Sequence, residues 1–307
     1  MIELQGVGKT YRNIITRKSV HALRDFSITL KPGEVFGIAG PNGAGKTTLL
    51  ALLLGYLKPT AGTIHIEQTE PRAWVERFGV AYLSELIGIP RWWKTDGTLH
   101  RYALLEDLAP AERKTKVEGL IERLGLTEHR GKRVKQLSKG NLQRLGLAQA
   151  LLSDSRLIIL DEPTHGLDPL WTQRFRDVVE SERRPDRLII IASHNLDELE
   201  RLADRVAILD RGALVRVADA GDHGGDGAGV WRLVLTAQHP ALLTHFPGAT
   251  KSTQARELSF DVHGTVDDLN VRLQRALADG LRVRAFFPAQ SRLEAAFRDA
   301  VQGGGGA

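Results

Sequence analysis

The 307-residue sequence has no cysteine and only one methionine. Without cysteine the chain can form no disulfide, no iron–sulfur cluster, no cysteine zinc site and no thiol nucleophile. It also has no long apolar run, because the longest near-apolar stretch, residues 49–57, is about half of the ~20 residues that a bilayer-spanning helix needs. The opening residues lack the basic, apolar and small-residue regions of a signal peptide, so we expect any membrane role to depend on a partner.

The residues that are present have the composition of an ordinary globular protein, with 42% hydrophobic residues, 26% charged residues and a net charge of +5. The positive excess is concentrated in residues 91–144, which hold 13 basic and 7 acidic residues. We name residues 91–144 the basic segment. It has two interpretations: a solvated helical face near an anionic ligand or partner, which we favour, or a nucleic-acid-binding patch.

Glycine marks the clearest domain boundary. Residues 221–229 contain five glycines, a composition typical of a flexible linker. Four further glycines at 303–306 predict a disordered tail over residues 303–307. We therefore expect a first domain in residues 1–220 and a small accessory domain in residues 230–302.

Short apolar runs predict an α/β core in the first domain. The runs 35–39, 157–160 and 188–192 are strand-like, and the last two are apolar on both faces, as in a parallel sheet covered by helices. Long helical patterns lie between them, which indicates the α/β class. Residues 103–153 show helical spacing and no strand, so a helical subdomain at about 86–153 is expected to interrupt the core and to contain the basic segment.

The accessory domain has a different pattern. Residues 230–236, 257–262 and 281–287 are predicted strands, and each is followed by a helical stretch, the last at residues 293–301. This predicts a small α+β domain with the order βαβαβα. No catalytic constellation is visible in it, and we interpret it as a dimerisation or regulatory appendix.

A phosphate-binding loop follows the first apolar run. Residues 40–47, GPNGAGKT, fit G-x-x-x-x-G-K-[ST] and stand between a predicted strand and a predicted helix. The glycines let backbone N–H groups turn toward phosphate oxygens, and the helix N-terminus adds its positive dipole end. Lys46 supplies charge to the β- and γ-phosphates, and Thr47 offers a hydroxyl to Mg²⁺. The predicted nucleotide ligands in this loop are Gly40, Asn42, Gly43, Ala44, Gly45, Lys46, Thr47 and Thr48.

Two carboxylates follow the strand predicted at 157–160. Asp161 is placed to hold Mg²⁺, and Glu162 can orient and deprotonate an attacking water. His194 ends the last predicted strand, and the carboxyl ends of parallel strands surround the ligand crevice of a doubly wound sheet. We therefore expect the His194 ring near the γ-phosphate, and we predict Glu162, His194 and Lys46 as catalytic residues.

With these motifs in order, residues 2–218 resemble the nucleotide-binding subunit of an ATP-binding-cassette (ABC) transporter. The sequence LSKGN at 137–141 stands where the family has its LSGGQ signature, at the start of a predicted helix. Residues 166–168, GLD, are similar to the family's D-loop. Tyr11 matches the aromatic residue that stacks on adenine, and Glu85 occupies the usual glutamine position of the Q-loop.

The resemblance implies a P-loop NTPase core that binds ATP and Mg²⁺ and hydrolyses ATP. It also implies further nucleotide contacts at Tyr11, Ser138, Gly140 and Asp168, and Mg²⁺ contacts at Thr47, Asp161 and Glu85. In this family the signature contacts the nucleotide held by the opposite subunit. A chain with one phosphate loop and one signature therefore implies a homodimer or a pair with a related ATPase.

The resemblance further implies that a separately encoded integral membrane permease is the partner, at the cytoplasmic face of the cell membrane. Residues 291–297, SRLEAAF, are similar to an ending common in efflux-type ATPases, so export is the expected direction. Trp92 and Trp93 either meet the permease in the groove that follows the Q-loop or pack between subdomains. A soluble ABC ATPase acting on nucleic acid or ribosomes is the alternative, and a nucleotide-gated regulator with little turnover is a third possibility. We expect no nucleic-acid partner.

Overall fold

A computed structural model describes residues 1–12, 19–106, 108–219, 229–252 and 257–289, together with Phe297. The described residues form two compact units, one within Met1–Gly221 and one within Asp222–Asp299. The predicted linker lies outside the described residues except for Gly229, which is the first residue of a strand. The predicted tail and, apart from Phe297, the helix expected at 293–301 also lie outside the described residues.

The first unit contains a nine-stranded mixed sheet. Its strands are β1 Ile2–Arg12, β2 Ser19–Leu30, β3 Val35–Ala39, β4 Ala61–Ile66, β5 Ala81–Leu83, β6 Leu157–Asp161, β7 Leu188–Ser193, β8 Arg205–Asp210 and β9 Ala213–Asp219. They lie in the order β4-β1-β2-β9-β8-β3-β7-β6-β5. Strands β8, β3, β7, β6 and β5 run parallel to one another.

The three predicted strands, β3, β7 and β6, form the centre of the parallel part of this sheet. Every residue of β3, β6 and β7 is buried, because their apolar side chains meet covering elements on both faces. In the register, Ala39 pairs with Ser193, and Asp161 pairs with Ala192. The carboxyl ends of β3, β7 and β6 therefore stand side by side, and the loops that leave them form one edge of the molecule.

The antiparallel strands β1, β2 and β4 were not predicted from the sequence. Ile2 and Leu4 are buried while Glu3 and Gln5 are exposed, which is the expected alternation of a half-buried strand. The alternation then fails, because the pairing with β2 shifts register between Leu4 and Val7. The irregularity hides the two-residue period that identifies such strands.

Seven α-helices are described in the first unit. They are α1 Lys46–Leu53, α2 Pro71–Phe78, α3 Thr95–Leu105, α4 Pro110–Arg123, α5 Lys139–Ala150, α6 Pro169–Glu182 and α7 Leu196–Leu202. Helices α3, α4 and α5 lie between β5 and β6 in sequence, where the helical subdomain was predicted. In the described ranges, no helix combines the length and hydropathy needed to cross a bilayer.

The second unit contains a four-stranded antiparallel sheet with two helices. Its elements are β10 Gly229–Leu235, α8 Ala241–His245, β11 Thr250–Lys251, β12 Ser259–Gly264, α9 Val266–Ala278 and β13 Val283–Pro288, with strand order β11-β12-β10-β13. Leu233, Phe260 and Leu269 lie in its core. The three predicted strands are present with ends shifted by one or two residues. The sequence did not reveal β11, because both of its two residues are exposed.

Candidate nucleotide site

The phosphate loop joins β3 to α1 and is confined by its surroundings. Gly43 and Gly45 have φ values of +83° and +108°, which side chains rarely allow. A Cβ at Gly45 would stand 2.5 Å from the carbonyl oxygen of Ala22, and one at Gly40 would stand 2.6 Å from that of Leu209. Close backbone approach therefore requires glycine at positions 40 and 45, whereas at position 43 only the positive φ favours it.

The loop presents backbone donors at the start of α1. The first N–H groups of a helix have no acceptor within it. Gly45 caps α1 without a side-chain hydrogen bond, and the first turn contains no acidic residue. Those N–H groups and the positive dipole end are therefore available to an anion, which suits the predicted role of residues 40–48.

Lys46 is the buried cation of this site. It is 7% exposed, and its Nζ donates a 2.7 Å hydrogen bond to the carbonyl oxygen of Gly40. The same nitrogen lies 3.7 Å from Oε1 of Glu162. The phosphate loop and the predicted catalytic carboxylate come from separate parts of the sequence, and the ammonium group of Lys46 contacts both.

Asp161 and Glu85 create an excess of negative charge beside the phosphate loop. Asp161 is 3% exposed, and burial, helped by the charges of Glu162 and Glu85 and opposed by that of Lys46, raises its pKa to about 6. Burial and the two neighbouring carboxylates thus disfavour the ionised form of Asp161, and a bound cation would favour it. Asp161, Glu85 and the hydroxyl of Thr47 offer the hard oxygen donors that Mg²⁺ prefers, so the residues present fit this ion.

Glu162 and His194 are in direct contact. Nδ1 of His194 donates to Oε2 of Glu162 over 2.7 Å, and the His194 side chain remains 60% exposed. Glu162 is 7% exposed and has φ of +48°, a left-handed conformation that costs a non-glycine residue about 1–2 kcal/mol. Its backbone N–H donates to the carbonyl oxygen of Ala192 over 2.8 Å. The three predicted catalytic residues therefore form one connected group.

Tyr11 lies on the sheet beside the phosphate loop. It pairs with Val20, two residues from Ala22, whose carbonyl oxygen faces Gly45. Its side chain is 42% exposed, and Nζ of Lys9 lies 5.7 Å from its ring centre. An exposed aromatic face is therefore available near the loop, as stacking on a nucleobase requires.

The signature residues form a second group. Ser138 caps α5 by accepting a 3.2 Å hydrogen bond from the N–H of Asn141. A Cβ at Gly140 would stand 2.8 Å from the carbonyl oxygen of Gly166, so α5 begins in close contact with the predicted D-loop. Asp168 caps α6, accepting from the N–H of Trp171 over 2.9 Å. Within the described ranges, no hydrogen bond connects Ser138, Gly140 or Asp168 to residues 40–48.

Sequence reasoning missed two buried polar side chains near Glu162. Gln143 lies on α5, within the residues for which the sequence predicted helical spacing and nothing further. Glu198 lies on α7, three residues after the capping residue Asn195, a spacing typical of a capping box. That spacing indicates a helix start and gives no sign that Glu198 is buried beside the catalytic loop.

Comparison with known proteins identifies similar chains. The profile of the ABC transporter family matches residues 23–165. The ABC transporter ATP-binding protein NatA of Bacillus subtilis is 33% identical over 219 residues, covering 70% of this chain and 88% of NatA. The methionine import ATP-binding protein MetN of Caulobacter vibrioides is 35% identical over 228 residues, covering 70% of this chain and 66% of MetN.

A third relative and a solved structure extend the comparison. An uncharacterized ABC transporter ATP-binding protein of Nostoc is 39% identical over 220 residues, and the alignment covers 67% of this chain and 63% of that relative. The dimeric post-hydrolysis structure of the ATP-binding cassette MJ0796 bound to ADP and Pi has a TM-score of 0.65 at 21% identity, covering 72% of this chain and 99% of that one. The structural similarity confirms the predicted P-loop α/β core.

Proposed function

Because this chain belongs to the ABC transporter ATP-binding proteins, we propose that it binds and hydrolyses ATP to drive a separately encoded membrane permease. The observation that carries the proposal is the connected group of Lys46, Glu162 and His194 beside the phosphate loop. A buried carboxylate in contact with a histidine and a phosphate-loop lysine fits the activation of water for phosphoryl transfer.

In the proposed mechanism each residue has a distinct role. The carboxylate of Glu162 orients the attacking water and accepts its proton, while His194 holds this carboxylate through Nδ1. Lys46 and the backbone N–H groups at the start of α1 stabilise the negative charge of the phosphates. When bound, Mg²⁺ supplies Lewis-acid stabilisation of that charge, and Thr47, Asp161 and Glu85 are the residues that would hold it. Tyr11 stacks on the base.

We further propose that a second ATPase subunit completes each site. Ser138 and Gly140 stand at the N-terminus of α5, whose free N–H groups suit a phosphate, and Asp168 lies in the adjoining D-loop. This group and the phosphate loop occupy separate positions in one chain, so the signature would serve the ATP of the opposite subunit. A closed two-fold arrangement of two copies, or of one copy and a related ATPase, satisfies both sites.

The tryptophan pair supports a docking surface for the permease. Trp93 is half-buried, with its ring centre 6.2 Å from that of Tyr102 and with Arg101 over its face at 4.9 Å. Trp92 is 72% exposed and Leu86 is 84% exposed. The packing interpretation therefore suits Trp93, which packs within the helical subdomain. The docking interpretation suits Trp92, whose side chain is available to a partner. We place this partner in the membrane and the chain at its cytoplasmic face.

Trp92→Ala is expected to uncouple the chain from its permease. Exposed tryptophans at interfaces contribute about 2 kcal/mol or more, so the permease complex should weaken roughly 30-fold or more. ATP hydrolysis by the isolated chain should remain unchanged, while permease-stimulated hydrolysis is lost. Leu105→Ala is the matched control, because Leu105 is 77% exposed elsewhere in the helical subdomain. Equal permease stimulation in the Trp92→Ala variant and the wild type would contradict the docking surface.

Export is the proposed direction of transport. The ending at residues 291–297, which is similar to that of efflux-type ATPases, supports it, although the MetN similarity includes an import protein. With the complex in inside-out vesicles and a labelled extract of cellular small molecules, export predicts ATP-dependent accumulation inside the vesicles. Accumulation only in right-side-out vesicles loaded with ATP would indicate import.

The basic segment supports the nucleic-acid alternative less well than its composition suggested. Both terminal nitrogens of Arg130 donate to the carboxylate of Glu118. Nη1 of Arg144 donates to the carbonyl oxygens of Leu124 and Gly125. Part of the positive charge is therefore committed to contacts within the subdomain. Tight nucleic-acid binding with a steep salt dependence would nevertheless favour the alternative over the transporter.

A further inference from the structure

Two buried polar side chains outside the proposed chemistry hold the loop that carries Glu162. Gln143 is 4% exposed and Glu198 is 1% exposed. They reach this loop from different helices, α5 and α7. Burial of an amide or a carboxyl group is unfavourable unless hydrogen bonds compensate for the lost water. Their hydrogen-bond partners therefore indicate what their burial serves.

Gln143 connects the signature helix to the backbone of Glu162. Its Nε2 donates to the carbonyl oxygen of Glu162 over 3.1 Å and to that of Pro163 over 3.0 Å. The two carbonyl oxygens accept these hydrogen bonds inside the protein, where a carbonyl group without a hydrogen bond would lower stability. One side chain of α5 thus fixes two consecutive peptide groups at the catalytic position.

Glu198 connects the same loop to the strand end before His194. Its Oε2 accepts from Oγ1 of Thr164 over 2.6 Å and from Oγ of Ser193 over 3.3 Å. Thr164 is two residues beyond Glu162, and Ser193 directly precedes His194. A single carboxylate oxygen therefore holds together the two segments whose side chains meet in the Glu162–His194 contact.

Glu162 needs such support because of its backbone conformation. A non-glycine residue at φ of +48° persists only where its surroundings over-determine it. Without that support the peptide can relax toward ordinary φ values, and the carboxylate would move relative to Lys46 and His194. A displacement of about 1 Å at a reacting group can lower a rate about a hundredfold.

We propose that Gln143 and Glu198 are positioning residues that hold Glu162 in its hydrolytic conformation from two sides. Neither residue touches the nucleotide in this proposal; each acts through the peptide groups and hydroxyls around Glu162. The inference rests on the proposed function, because it takes Glu162 as the residue that activates water.

The variants that test it separate hydrogen bonding from packing. Gln143→Met keeps the length of the side chain and removes the donor. Glu198→Leu removes the acceptor, whereas Glu198→Gln keeps one acceptor oxygen for Thr164. Gln149→Met on α5 and Glu200→Gln on α7 are matched controls, since both residues are half-buried on the same helices. For the full chain, kcat, KM for MgATP and the number of nucleotide-binding sites per chain are measured.

Gln143→Met and Glu198→Leu should each lower kcat per nucleotide-binding site about tenfold or more, with KM within about twofold of wild type. Glu198→Gln should recover most of the turnover, and both controls should match wild type. Because the two residues support one loop, the double variant should lose less than the product of the two single losses. A loss in the double variant equal to the product of the two single losses would contradict the claim that both residues support one loop. If kcat per nucleotide-binding site is unchanged and only the number of binding sites falls, the two residues have a structural role alone.

Failure of this inference is distinguishable from failure of the proposed function. If Gln143→Met and Glu198→Leu turn over like wild type while Glu162→Gln is inactive, the proposed function stands and the positioning role is wrong. If Glu162→Gln itself hydrolyses ATP normally, the proposed role of Glu162 is wrong, and the positioning role falls with it.

Discussion

Glu162→Gln is expected to lower kcat for ATP hydrolysis by about 10²- to 10⁴-fold, the range that a general base contributes. The amide has nearly the shape of the carboxylate, but it cannot accept the proton of the attacking water. The buried position and the neighbours Lys46 and His194 are retained, so ATP binding should persist. Steady-state phosphate release and equilibrium ATP binding measure the two effects separately.

The same variant is expected to accumulate an ATP-bound dimer if, as we propose, two subunits close over ATP and hydrolysis reopens them. Size-exclusion chromatography with and without MgATP measures this accumulation. Glu180→Gln is the control, since the Glu180 side chain is 56% exposed on α6 and its replacement should leave turnover unchanged. Undiminished hydrolysis by Glu162→Gln would show that another group activates the water.

Lys46→Ala is expected to weaken ATP binding roughly 10- to 100-fold. Hydrogen bonds to a charged group contribute about 1.5–3 kcal/mol, and Lys46 is the buried cation that faces both the phosphate loop and Glu162. Its loss also leaves the carboxylate of Glu162, which is 7% exposed, without that compensating charge. Calorimetric titration with a non-hydrolysable ATP analogue measures the affinity.

The matched control for Lys46→Ala is Lys58→Ala, because the Lys58 side chain is 82% exposed. Thermal unfolding of both variants establishes that any loss of binding occurs in folded protein. Wild-type affinity in Lys46→Ala would mean that residues 40–48 are not the nucleotide site.

Much of the fold was predictable because its central strands carry an unambiguous pattern. Strands β3, β6 and β7 are apolar on both faces, and the phosphate loop and the two carboxylates follow β3 and β6 directly. The ABC family and the α/β fold class are confirmed predictions, whereas ATP hydrolysis is a proposal. Strand β1 escaped prediction because its register shift removes the alternation, and β11 because neither of its two residues is buried.

The sequence predicted which residues form the candidate site, but it did not predict the buried side chains that hold those residues in place. Motif spacing named Lys46, Glu162 and His194, and adjacent strand ends explain why they meet. It could not identify Gln143 or Glu198, since a polar residue on a helix gives no sign of whether it faces solvent or a buried loop. The left-handed conformation of Glu162 is likewise a tertiary feature. The roles of these residues and the limits of the two domains stay predictions.

For the Trp92–Trp93 pair at the surface, too, the sequence did not show which side chain is packed and which is exposed. Sequence placed both residues in one segment with equal weight for packing and for docking. Only the three-dimensional arrangement distinguishes Trp93, packed near Tyr102, from Trp92, which is 72% exposed. Adjacent residues can therefore have different roles, one in packing and one in docking, and their substitutions are expected to have different effects.

The most direct test of the central claim is ATP hydrolysis by the chain purified from detergent-solubilised native membranes together with its bound proteins and then reconstituted in liposomes. The account predicts that an integral membrane protein co-purifies at fixed stoichiometry and that this protein stimulates a turnover abolished by Glu162→Gln. Recovery of the chain without any membrane subunit, with hydrolysis unaffected by Glu162→Gln, would contradict it.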